Sequence, residues 1–154
     1  MSQRRNACVI VTLCLAAVVS VPARAQDQRR YINPRTQSDA SQPPFSGAVL
    51  AGNTLYLSGT IGLDENQRPP DTPEAEARKV LDNVQATLKQ AGFTMDDLVS
   101  VQIFCSDVKH YATFNTIYRT YFSKEFPARA FIGSGTLLYN ARFEVQGIAV
   151  KRQP

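Results

Sequence analysis

The chain has 154 residues, with 17 Lys and Arg, 13 Asp and Glu and one histidine, for a formal charge of +4. Three of the basic residues, Arg4, Arg5 and Arg24, lie in an N-terminal stretch that reads as a removable leader, and without them the charge falls to +1. A chain of this length supports one domain with a real core rather than two, and a charge this close to neutral excludes the broad positive field that holds a polyanion such as a nucleic acid.

Residues 1–25 have the three parts of a secretory signal. Arg4 and Arg5 supply the positive end, residues 7–19 (ACVIVTLCLAAVV) the apolar stretch, and Ala23-Arg24-Ala25 the small-x-small pattern before a cut after Ala25. The apolar run is too short to cross a bilayer core of about 30 Å. The expectation is cleavage, with a mature protein that is periplasmic or secreted and not held in a membrane. No apolar pair follows Arg4-Arg5 as it does in a twin-arginine signal, so the export route stays open. Cleavage would also take Cys8 and Cys14, leaving Cys105 alone and no internal disulfide.

Residues 26–44 are polar and rich in turn formers, which predicts an extended arm with room for a short strand at Tyr31-Ile32. The domain proper is expected over 45–152. Ser46–Leu50 and Thr54–Ser58 are strand-like and flank Ala51-Gly52-Asn53, the pattern of a hairpin. A loop over 64–70 precedes a helix with strong start signals: Thr72 as N-cap, Pro73 at the first position, Glu74 and Glu76 in the first turn. Ala77, Val80, Leu81, Val84, Leu88 and Ala91 recur at helical spacing, and Gly92 stands where a left-handed cap is wanted.

Leu98–Cys105 alternates as a strand, Tyr111–Phe122 returns to helical spacing, and Ala128–Ile132 and Ala141–Val150 are closing strands around a glycine-containing loop. Two helices for five or six strands point to an α+β layer with both helices on one face of a mixed sheet. Nothing in so short a chain remains to cover the other face, so self-association is expected.

The candidate chemistry is sparse. His110 is the only histidine, no Cys/His cluster has metal-ligand spacing, and no phosphate-binding glycine motif is present. His110 reads as a solvated helix-cap residue and Cys105 as a small buried hydrophobe. Arg129, between Ala128 and Ala130, reads either as an arginine snorkelling to the surface or as an anion clamp, since a guanidinium fork matches a carboxylate. Arg142 and Glu144 share the strand face opposite Phe143 and Val145, as a polar face or an ion pair.

Six motifs then occur in order: Phe45-Ser46-Gly-Ala-Val, Leu57-Ser58-Gly59, Asp82-Asn83-Val84 with Ala91-Gly92, Phe114-Asn115-Thr-Ile-Tyr118, Pro127-Ala128-Arg129, and Phe143-Glu144-Val-Gln-Gly-Ile-Ala149. Together they resemble the Rid (YjgF-type) family of reactive intermediate deaminases from about Arg29 to Arg152. The resemblance implies a chorismate-mutase-like α+β fold, a homotrimer with a central barrel, and clefts between subunits. It implies cofactor-free hydrolysis of small 2-imino acids, formed from reactive 2-enamines, to 2-keto acids and ammonia. Arg129 falls on the family arginine that binds the substrate carboxylate and Glu144 on the acid that positions water, helped by a backbone carbonyl near Phe131. Ser58 and Gly59 match pocket-lining residues, and Asn115 matches an asparagine near the pocket. Two positions depart from the family pattern: Phe45 replaces a pocket tyrosine, and Phe131 replaces a small residue, often Cys, that would leave a wider pocket. The competing reading is a trimeric periplasmic protein that binds small carboxylates without turnover. A ribonuclease role sits poorly with the charge of +1 and the leader.

Overall fold

The computed structural model describes residues 29–151 apart from Gln37 and Asp39. The expected export signal over 1–25 lies outside the described residues. Among the described residues six strands and two α-helices follow in the order β1 (Arg29–Ile32), β2 (Ala48–Ala51), β3 (Thr54–Ile61), α1 (Pro73–Ala91), β4 (Leu98–Cys105), α2 (Tyr111–Tyr118), β5 (Ala128–Gly133) and β6 (Phe143–Val150). The strands form one sheet in the spatial order β1-β2-β3-β6-β4-β5. Only β4 and β5 run parallel.

Each element has a local cause. The β2–β3 hairpin turns through Gly52-Asn53, with Ala51 paired to Thr54. Thr72 accepts the Ala75 N–H at 3.2 Å, Pro73 opens α1, and Gly92 closes it in the left-handed region at φ 83°, where a side chain would be strained. The tentative strand at Tyr31-Ile32 is the end of β1, which pairs antiparallel with β2 along its whole length. The second helical stretch is α-helical only to Tyr118 and tightens into a 3-10 turn over Arg119–Tyr121.

Both helices cover the same sheet face. Val80, Leu81, Val84 and Leu88 of α1, with Phe114 and Ile117 of α2, pack on Leu55, Leu57, Val101, Ile103, Phe143 and Val145. The two-residue period of the strands sends Tyr56, Gln102, Gln146 and Ile148 to the other face. Among the described residues no element covers it. Cys105 is buried and hydrogen-bonds through Sγ to the Asp107 carbonyl; burial pushes its thiol above the ordinary range. Among the described residues no helix is long and apolar enough to cross a membrane.

Two expectations change here. Arg142 lies just before β6 and does not pair with Glu144. It turns to Glu76 on α1, at 2.7 Å, because a carboxylate buried at the start of that helix needs a cation and donors. His110 is half-buried rather than solvated: its ring stands edge-on to Phe143, with centroids 6.0 Å apart.

Candidate active site

Arg129 sits in β5 opposite Val101 of β4, so its side chain leaves the sheet on the helix-covered side. As β5 is the last strand of the sheet, the guanidinium reaches the rim of the core instead of its centre. Asn115 of α2 accepts a hydrogen bond from its Nη2 at 2.7 Å. The guanidinium carbon lies 4.8 Å from the Tyr118 ring centroid and 5.9 Å from those of Tyr111 and Phe131. Such faces attract a cation and hold it without using its donors. The side chain is therefore oriented by one amide and a ring cage, which leaves N–H groups of the fork for an anion. A hollow of about 200 Å³ opens beside it, lined by Tyr111, Asn115, Tyr118, Phe126 and Pro127.

Phe131 follows Arg129 on the same side of β5. Its ring is edge-on to Tyr111 at 5.0 Å and to Phe114 at 5.8 Å. The half-buried ring thus packs between strand and helix, beside the Arg129 guanidinium.

Glu144 lies elsewhere. It pairs with Phe104 and Ile61, and its side chain leaves β6 on the face away from the helices. There β3 has a bulge: Leu57 pairs with Gly147 and Thr60 with Val145, so Ser58 and Gly59 together face the single Gln146. The bulge carries the Gly59 backbone against the Glu144 carboxylate, and a Cβ on Gly59 would overlap Glu144 Oε1. The Ser58 hydroxyl donates to the Ser46 carbonyl at 2.6 Å, and the Ser58 N–H donates to Gly47. Those two bonds fasten the chain entering β2 and so present Phe45. Phe45, Ser58, Gly59, Glu144 and Gln146 line a broad groove of about 1000 Å³ with Leu138 and Tyr139.

The anticipated site residues thus form two groups. Arg129, Asn115 and the Phe131 backbone belong to the edge strand and its helix. Glu144, Ser58, Gly59 and Phe45 belong to the opposite face. Tyr111, Tyr118, Leu138, Tyr139 and Gln146 were not anticipated. Spacing could have signalled two of them: Tyr118 is one helical turn past Asn115, and Gln146 is two past Glu144 on a strand. Burial pushes the Tyr118 phenol up to about 12, with the Arg129 charge pulling the other way. No cluster of metal-ligating side chains exists among the described residues.

The profile of the family described as Endoribonuclease L-PSP matches residues 36–151. The 2-iminobutanoate/2-iminopropanoate deaminase of Bos taurus is 34% identical over 124 residues, covering 79% of this chain and 90% of that protein. The protein of the same name from Dermatophagoides farinae is 36% identical over 115 residues, covering 72% and 90%. The crystal structure of the YjgF gene product from E. coli superimposes with a TM-score of 0.67 at 33% identity, covering 71% of this chain and 89% of that one. RidA from the Antarctic bacterium Psychrobacter sp. PAMC 21119 gives 0.68 at 29% identity, with 71% and 89% covered. With its mixed six-stranded sheet, its two helices on one face and a match over most of its length, this chain belongs to the Rid (YjgF) family.

Proposed function

We propose that this protein hydrolyses 2-imino acids to 2-keto acids and ammonia in a cleft that two copies build together, with the copies arranged as a homotrimer around a central barrel. The observation that carries this reading is the division of the site between the two faces of one sheet. Arg129 and Glu144 leave the sheet in opposite directions, so a substrate held by Arg129 of one copy must be served by Glu144 of another. The edge position of β5 and the uncovered polar and apolar face of the sheet support such an assembly.

The chemistry asks little of the protein. An iminium carbon is already electrophilic. Arg129 binds the substrate carboxylate through its fork and fixes the acid. Glu144 holds a water against the imine carbon and takes a proton as the C–O bond forms. That proton then passes to nitrogen, the carbinolamine hydroxyl gives its own proton to Glu144 as the C–N bond breaks and the C=O bond forms, and the keto acid leaves with ammonia, which departs as ammonium with that second proton. Positioning supplies most of such a gain, and no metal or cofactor is required. The names of the bovine and mite relatives support the same reaction.

The test generates imino acids in situ with an amino-acid oxidase and follows keto-acid release. The wild type should accelerate it over buffer. Arg129→Ala should raise KM, and Glu144→Gln should lower kcat, each reducing kcat/KM by about 100-fold or more. No acceleration by the wild type, together with thermal stabilisation by small carboxylates, would replace this reading with a binding module. Residues 1–25 support action outside the cytoplasm, which cell fractionation of the full chain tests.

A further inference from the structure

We infer that the groove around Glu144 selects 2-imino acids with large apolar side chains, branched aliphatic or aromatic, over those derived from alanine or 2-aminobutyrate. This rests on the deaminase reading above and assigns its substrate class. Pockets for ligands of drug size run to roughly 300–1,000 Å³. At about 1000 Å³ the groove of a single copy exceeds the needs of a four-carbon acid.

The lining points the same way. Glu144 shares the groove with polar Ser41, Gln42, Ser58, Gln67 and Gln146, and its large apolar walls are Phe45, Ile61, Leu63, Leu138 and Tyr139. Three of these present themselves outward: Leu138 is 72% exposed, Tyr139 56% and Phe45 53%. The loop that carries Leu138 and Tyr139 is built rather than frayed. Asn140 N–H donates to the Leu137 carbonyl at 3.2 Å, and Ala141 N–H donates to Leu138 at 3.0 Å. Tyr139 and Asn140 both hold φ at 58°, in the left-handed region that non-glycine residues rarely enter. Backbone of this kind clusters at ligand clamps, and here it holds a leucine and a tyrosine over the groove. On the far wall, the Ser58 bonds to the 46–47 backbone hold the segment that bears Phe45. A phenyl ring there offers apolar surface and no hydrogen bond, so it favours a hydrocarbon side chain over a polar one.

The experiment measures kcat/KM on imines generated from alanine, 2-aminobutyrate, leucine, isoleucine and phenylalanine. At least a tenfold preference for the last three is expected, a difference of about 1.4 kcal/mol, which burial of one such side chain can supply. Leu138→Ala and Tyr139→Ser, each checked for unchanged thermal midpoint and assembly, should reduce the large-to-small ratio at least fivefold, chiefly through KM for the large substrates. Turnover with equal or greater kcat/KM for the small imines overturns this assignment and leaves the deaminase reading standing. A preference that neither variant moves overturns it as well. No turnover of any imine overturns both.

Discussion

Arg129 and Gly59 would serve the proposed site by different means. Arg129 is caged by three rings and steered by Asn115, so its fork is oriented before any ligand arrives. Gly59 acts by having no side chain. A Cβ there would meet the Glu144 carboxylate, which is free to move where the backbone of β3 is not. Gly59→Ala should therefore keep the fold, seen as an unchanged circular dichroism spectrum, and lower kcat/KM by about 100-fold through a displaced carboxylate. Tyr118 offers a pH test. Its hydroxyl is buried and has no hydrogen-bond partner among the described residues. Burial holds its pKa up at about 12, against about 10 for an unfolded tyrosine. The folded state keeps this proton more tightly, so the associated stability is complete below pH 10 and is lost as pH rises towards 12. Tyr118→Phe should change stability at pH 7 by no more than about 1 kcal/mol. It should also flatten the alkaline decline, as read from urea melts between pH 8 and 11.

Among the elements, α1 and β6 are tied by a buried carboxylate. Glu76 is fully buried and accepts the backbone N–H groups of Arg142 and Phe143, at 2.5 and 3.2 Å, as well as the Arg142 guanidinium. Arg142 in turn donates to the carbonyls of Pro70 and Asp71. One cluster thus joins the loop before α1, the first turn of that helix and the start of β6, two residues from Glu144. Glu76→Ala would leave the backbone N–H groups of Arg142 and Phe143 without an acceptor and take the carboxylate from a half-buried guanidinium that keeps only the Pro70 and Asp71 carbonyls. A loss of about 3–5 kcal/mol is expected in chemical denaturation. Glu76 was legible in the sequence only as a first-turn acid suited to the helix dipole. Its partner was not, because 66 residues separate it from Arg142 and strand alternation suggested Glu144 instead.

At the scale of the whole molecule, the described residues cover one face of the sheet with helices and leave the other uncovered. The division of the site makes a mixing experiment decisive for the assembly. Arg129→Ala and Glu144→Ala chains should each be inactive alone. Co-expressed, they should recover about a quarter of wild-type activity, because one cleft in four draws an intact Arg129 from one chain and an intact Glu144 from the next. Recovery is absent if a single copy supplies both residues. The same mixture, run on a sizing column, should elute as one species of unchanged size.

The amino-acid sequence by itself determined the elements, through short-range chemistry. The Thr72-Pro73 start of α1, its Gly92 stop and the alternation over Leu98–Cys105 depend on neighbours a few residues away, and they appear in the fold as read. The six ordered motifs likewise identified the family and the candidate site residues. The tertiary structure alone decided which of those residues can meet. Strand order, the Ser58-Gly59 bulge and the edge position of β5 are set by pairing between distant segments. They send Arg129 and Glu144 to opposite faces, turn Phe131 inward and lift Leu138 and Tyr139 over the groove.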